Sequence, residues 1–141
     1  MDTKSGLTYR AIKNFTKKSN EMKKYFPTLI DSPDSLIAKN TIALIGELKD
    51  STYVAKFDSL LSQKKYEKSV ISSLGDIKSN ESVKLLAKYI DSKSEIYRVK
   101  VARGLFKINT PLAKKYLKEM ENDDSFLIKA MFIINKEKGE K

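Results

Sequence analysis

Apolar residues return along this chain at helical spacing, and they return in matched blocks. Stretches 41–48, 70–77 and 101–108 align: Ile42, Ile45 and Leu48 in the first, Val70, Leu74 and Ile77 in the second, Val101, Leu105 and Ile108 in the third. The blocks lie about 30 residues apart, the signature of a two-helix repeat rather than of an isolated amphipathic helix. Tyr66 and Tyr97 fall in one column ahead of the second and third blocks, a position for packing between repeats with the hydroxyls at the edge. A second apolar stripe follows each block after a polar break: Val54, Phe57 and Leu61; Val83, Leu86 and Ile90; Ala113, Tyr116, Leu117 and Met120. Spacings of three and four place each set on one helix face.

The polar breaks predict where helices start. Thr110 before Pro111 reads as N-cap then first helical residue, Ser32 before Pro33 repeats that arrangement, and Ser51 and Ser79 are candidate caps of the two earlier second helices. The unit is helix, short turn, helix. One such pair cannot cover its apolar face alone, whereas stacked neighbours can. Ile45, Leu74 and Leu105 are therefore expected to form a continuous spine with Phe57, Leu86 and Tyr116.

The pattern divides the chain into one domain over 1–141: a degenerate helix pair over 1–31, repeats over 32–62, 63–92 and 93–122, and a half-repeat with a charged tail over 123–141. In the first segment Leu7, Ala11, Ile12 and Phe15 predict one helix, and Met22 to Phe26 a second, halted near Pro27. In the last, Ser125 caps a helix carrying Phe126, Leu127, Ala130, Met131, Ile133 and Ile134, and Lys136 to Lys141 reads as a frayed tail. That helix is apolar on more than one side. It serves as a terminal cap, or the chain is cut from a longer array.

The stretch from Asp91 to Ile108, with Arg98, the Val101-Ala102 pair and Leu105, resembles the HEAT-type repeat, in which Asp and Arg flank the turn into a first helix. Leu74-Gly75-Asp76-Ile77 and Ile45-Gly46-Glu47-Leu48 are similar to the end of that helix in short bacterial HEAT-like repeats. The resemblance covers Ser32 to Ile134, with Ala38 and Glu67 at the Arg position of the earlier units and Phe106 at the glycine position of the third. It implies an all-α fold, a right-handed α-solenoid of antiparallel helix pairs with second helices on the concave face. It also implies a binding scaffold, by analogy of fold.

Composition narrows the chemistry. Cysteine and histidine are both absent, which excludes disulfides, thiolate nucleophiles, Cys/His zinc sites and imidazole bases. Five glycines and three prolines are too few for the turns of an all-β fold. No apolar run approaches the ~18 residues of a membrane span, and 1–6 lacks the apolar core of a secretion signal, so a cytoplasmic location is expected if Met1 is the native start. No Gly-rich phosphate loop, nucleophile elbow or paired catalytic constellation is visible; the chain is expected to be no enzyme and to need no cofactor or metal.

Net charge is +10, yet Arg10, Arg98 and Arg103 are the only arginines among 28 basic residues. Lysine is a solvated point charge, whereas arginine grips phosphate bidentately. Lys84 and Lys88 align with Lys114 and Lys118 as i, i+4 pairs on successive second helices, while Lys56 and Ser59 break the pattern in the first pair. These four lysines are either a stripe that binds an acidic partner or the solvated side of amphipathic helices. Arg98 and Arg103 are anion ligands, or Arg98 is structural, paired with Asp91 or Asp124. Asp123-Asp124, with Glu119 and Glu121 nearby, has no calcium-loop spacing and suits a turn at a helix start; Asp31 and Asp34 have the same explanation. The leading expectation is a non-enzymatic scaffold that binds a partner protein, acidic in character, through the second helices. The alternative is binding of nucleic acid through phosphates.

Overall fold

The computed structural model describes residues 20–139, and the predicted helix at Leu7, Ala11, Ile12 and Phe15 lies outside them. Among the described residues the chain is all-helical, with no strand. A 3-10 helix over Asn20–Tyr25 leads into α1 (Phe26–Ile30). Pro27 therefore does not stop a helix. It sits in the first turn of α1, where its missing N–H costs nothing.

Three helix pairs follow: α2 (Ser35–Glu47) with α3 (Val54–Ser62), α4 (Glu67–Ile77) with α5 (Asn80–Ala87), and α6 (Glu95–Ile108) with α7 (Pro111–Glu119). The last helix, α8 (Phe126–Gly139), takes in Lys136 and Lys138, which the sequence assigns to a frayed tail. None of these helices is long and apolar enough to cross a membrane.

Three of the expected caps form. The hydroxyl of Ser79 accepts from the Ser82 amide (3.0 Å), that of Thr110 from the Ala113 amide (3.2 Å), and that of Ser125 from the Ile128 amide (3.4 Å). Two are displaced onto neighbouring aspartates. Asp34, not Ser32, caps α2, accepting from the Leu36 and Ile37 amides at 3.0 and 3.4 Å, while Ser32 accepts from the Asp34 amide and shapes the turn. Asp50, not Ser51, accepts from the Thr52 amide at the start of a 3-10 turn (Ser51–Tyr53) that leads into α3. A carboxylate at a helix start gains the macrodipole as well as the hydrogen bond, so it displaces the nearby hydroxyl.

The reversal after each first helix uses one device. Lys49, Lys78 and Asn109 occupy the same column and all adopt left-handed backbone, with φ of 55°, 63° and 56°. No glycine does so. Gly46, Gly75 and Gly104 serve close approach instead.

The helices lie in two layers. The first helices α2, α4 and α6 pack each against the next, with α8 following α6; the second helices α3, α5 and α7 likewise pack each against the next. Between the layers run Ile42, Ile45, Phe57, Val70, Leu74, Leu86, Val101 and Leu105, none with measurable exposure. Tyr116, expected in this spine, is only half-buried; Ala113 and Leu117 carry the α7 contact.

In the first-helix layer, backbones touch. A Cβ on Gly46 would lie 2.8 Å from that of Ser73, and a Cβ on Gly75 would lie 2.8 Å from the Gly104 Cα. The Ser73 hydroxyl, fully buried, donates to the Ile42 carbonyl across the first of these seams at 2.8 Å. The third seam is different: Phe106 takes the glycine column and meets Phe132 edge-on, ring centres 5.0 Å apart. Gly75→Ala is expected to lower stability by about 1–3 kcal/mol because the neighbour it meets is backbone. That exceeds the gain of about 1 kcal/mol that alanine brings to a helix interior. Urea denaturation decides it, since a more stable variant would mean that the seam yields.

Candidate functional site

The four lysines singled out from the sequence lie exposed on two adjacent second helices, Lys84 and Lys88 at the end of α5, Lys114 and Lys118 on α7. They are not equivalent. The Lys88 ammonium reaches back to Asp58 on α3 at 3.1 Å, as Lys56 reaches back to Asp31 at 2.7 Å. Both pairs tie one unit to the preceding one at the surface, where such bridges contribute little stability and mainly fix geometry. Lys84, Lys114 and Lys118 have no ion-pair partner among the described residues.

Arg98 is a structural clamp. Its Nε donates to Asp123 Oδ2 at 2.9 Å, its Nη2 to Asp123 Oδ1 at 3.2 Å and to Asp124 Oδ1 at 3.3 Å, and its Nη1 to the Ser92 carbonyl at 2.9 Å. The main partner is Asp123; of the two carboxylates expected from the sequence, Asp124 is a secondary partner, and Asp91 is not engaged by Arg98. The hydrogen bond from Arg98 holds the Asp123 carboxyl below the ordinary carboxylate range against the opposing effect of burial. The Asp123-Asp124 turn thus faces a guanidinium and the Ser125 amide, which donates to Asp123 Oδ1 at 2.9 Å.

At the equivalent position of the preceding unit stands Glu67, and a different network forms. Tyr89 donates its hydroxyl to Glu67 Oε2 at 3.0 Å, and Tyr97, from the next first helix, donates to Oε1 at 3.4 Å, with the two rings edge-on 5.8 Å apart. Burial, then the bond to Glu67, pushes the Tyr89 phenol up to about 12. Tyr97 sits between units, with its hydroxyl at the edge. Tyr66 begins α4 in left-handed backbone instead, under the Lys65 ammonium at 5.5 Å.

The outer surface of the first-helix layer holds a basic cluster of which the sequence reading singled out Arg103 alone. A cleft of about 350 Å³ lies over α4, lined by Lys68, Ser69, Ser72 and Asp76 of that helix, Glu47 of α2 and Lys100 of α6. A smaller one continues from Ser72 and Lys100 to Arg103 and Lys107. The Lys100 ammonium donates to Ser72 Oγ at 3.1 Å. Burial and the like charges of Arg103 and Lys68 hold it below the ordinary lysine range. Asp76 is neutralised by Lys107 at 2.6 Å. The signal available in the sequence was that Lys68 and Lys100 fall in neighbouring columns of successive first helices.

The far end of the layer is apolar. On α8, Phe126, Leu127, Ile133 and Ile134 stand exposed, Phe126 by 80%. Among the described residues no cluster of three or more acidic side chains is arranged to hold a metal ion. No protein-family model, curated protein or solved structure matches this chain.

Proposed function

We propose that the chain is a HEAT-like, right-handed α-solenoid that acts as a non-enzymatic scaffold, holding an acidic partner protein on the surface of its second helices. The observation that carries this reading is the contrast among the lysines. Lys56 and Lys88 are consumed in ties between units, while Lys84, Lys114 and Lys118 stand exposed on neighbouring helices with no counter-charge among the described residues. Cations left uncompensated on one face attract an anionic surface and speed its encounter. The repeated elements support the architecture: equivalent left-handed reversals at Lys49, Lys78 and Asn109, and equivalent close seams at Gly46 and Gly75.

Charge reversal tests the face. Replacing Lys84, Lys114 and Lys118 by Glu should weaken binding of an acidic peptide such as polyglutamate by roughly ten- to a hundredfold, from about 0.5–1 kcal/mol per exposed pair. The melting curve should stay unchanged. Equal binding by wild type and variant, measured by fluorescence anisotropy, would eliminate this face. Capture of duplex DNA or RNA with a steep salt dependence would instead favour the phosphate-backbone reading.

A further inference from the structure

We propose that the place where the two clefts over α4 and α6 meet, at Ser72 and Lys100 with Lys68 to one side and Arg103 to the other, is a binding site for a single phosphoryl group, separate from the second-helix surface. Lys100 lines both clefts, with Lys68 beside it in the larger and Arg103 beside it in the smaller; of the carboxylates in their walls, Asp76 is already paired with Lys107 and Glu47 stands on the α2 side of the larger cleft. Such a concentration of like charge opposes itself, and an anion placed among the three relieves it. Lys100 bears the largest share, since burial adds to the repulsion from Arg103 and Lys68.

The donor set fits a phosphate better than a carboxylate. Arg103 offers a planar fork, and Lys68 and Lys100 offer point charges, enough for a dianion rather than a single negative charge. Ser72 Oγ accepts from Lys100, which leaves its own proton to be donated outward, and Ser69 lines the same cleft. The larger cleft, about 350 Å³, has room for roughly ten water-sized volumes, so the ion enters with part of its carrier or its hydration. The cleft is lined by first helices, so a scaffold with a partner on its second helices keeps this site open.

The probe is inorganic phosphate at constant ionic strength, followed by amide chemical shifts and by the melting temperature. Wild type is expected to show saturable shifts on α4 and α6 and a rising melting temperature, as any ligand that binds only the folded state produces. Lys100→Gln with Arg103→Gln should lose about tenfold or more in affinity, the effect of removing two charged donors. Lys84→Gln on α5 should leave phosphate binding untouched. A second variant, Lys68→Gln, keeps the test open if the double variant melts early in phosphate-free buffer; it should weaken phosphate in the same direction. A phosphoserine peptide binding like free phosphate, with its unphosphorylated twin inert, would show that the group is taken from a protein carrier; free phosphate alone would mark a small-molecule site. The proposal is overturned if sodium chloride reproduces the shifts, if wild type and double variant respond alike, or if binding appears only with polynucleotide and grows with its length.

Discussion

Arg98→Ala should destabilise the protein by about 3 kcal/mol, near the lower end of what breaking a buried ion pair costs. Both partners are largely covered, with side-chain exposures of 15% for Arg98 and 10% for Asp123, so the orphaned carboxylate would be left with little water. Asp124, 94% exposed, keeps one edge of the cluster wet, and that places the effect low in the range. The same truncation frees the Ser92 carbonyl, which Arg98 holds on the other side of the turn. Acid supplies a second reading of the pair. The folded carboxyl of Asp123 sits below its ordinary 3.8, so the clamp's contribution is fully present above that pH and is lost as pH falls toward the lowered value. Stability measured by urea at neutral pH and stepwise into the acid range should therefore show the wild type and the variant converging. Parallel curves would mean that some other group answers Arg98.

Truncation at the centre should be as costly. Leu74→Ala is expected to lose about 2–5 kcal/mol, the range for emptying a packed leucine site. Leu74 has no exposure, and α4 is the helix with both α2 and α6 against it. Collapse around the hole is hindered because the residues on either side of Leu74, Ser73 and Gly75, are held in close seams against Gly46 and Gly104, which leaves the α4 backbone little room to shift. The upper half of the range is expected for that reason. Leu36→Ala, at a position 53% exposed, is the control and should stay within about 0.5 kcal/mol of wild type. Matching losses at the two positions in calorimetry would place the core elsewhere.

Periodicity made the helices and their buried stripes readable, because a period of three and four survives any change of partner. Ile45, Leu74 and Leu105 needed no knowledge of what they pack on. Contacts between units were less legible. Gly46 and Gly75 stand out in the sequence, yet which column of the next helix meets them depends on stagger, and Ser73 looks like any helical serine until it lies under Gly46. Caps failed where two candidates stand within a few residues: Asp34 displaced Ser32, and Asp50 displaced Ser51. Arg98 found Asp123 ahead of Asp124 for the same reason, since a turn decides which of two adjacent carboxylates faces inward. The basic cleft was hidden most completely. Arg103 was a candidate anion ligand from the sequence, but nothing there marked Lys68 and Lys100 as its companions, and only packing α4 on α6 brings them to adjoining clefts.

The seams also differ in compliance. Where Gly75 meets Gly104 there is nothing between the two main chains to rotate or compress, so α4 and α6 must tilt together as a plate. Phe106 and Phe132 meet edge-on through side chains, which can rotate to follow a small shift of either helix. Among the described residues the main-chain seams thus lie in the middle of the layer, and α8 joins it through side chains that can yield.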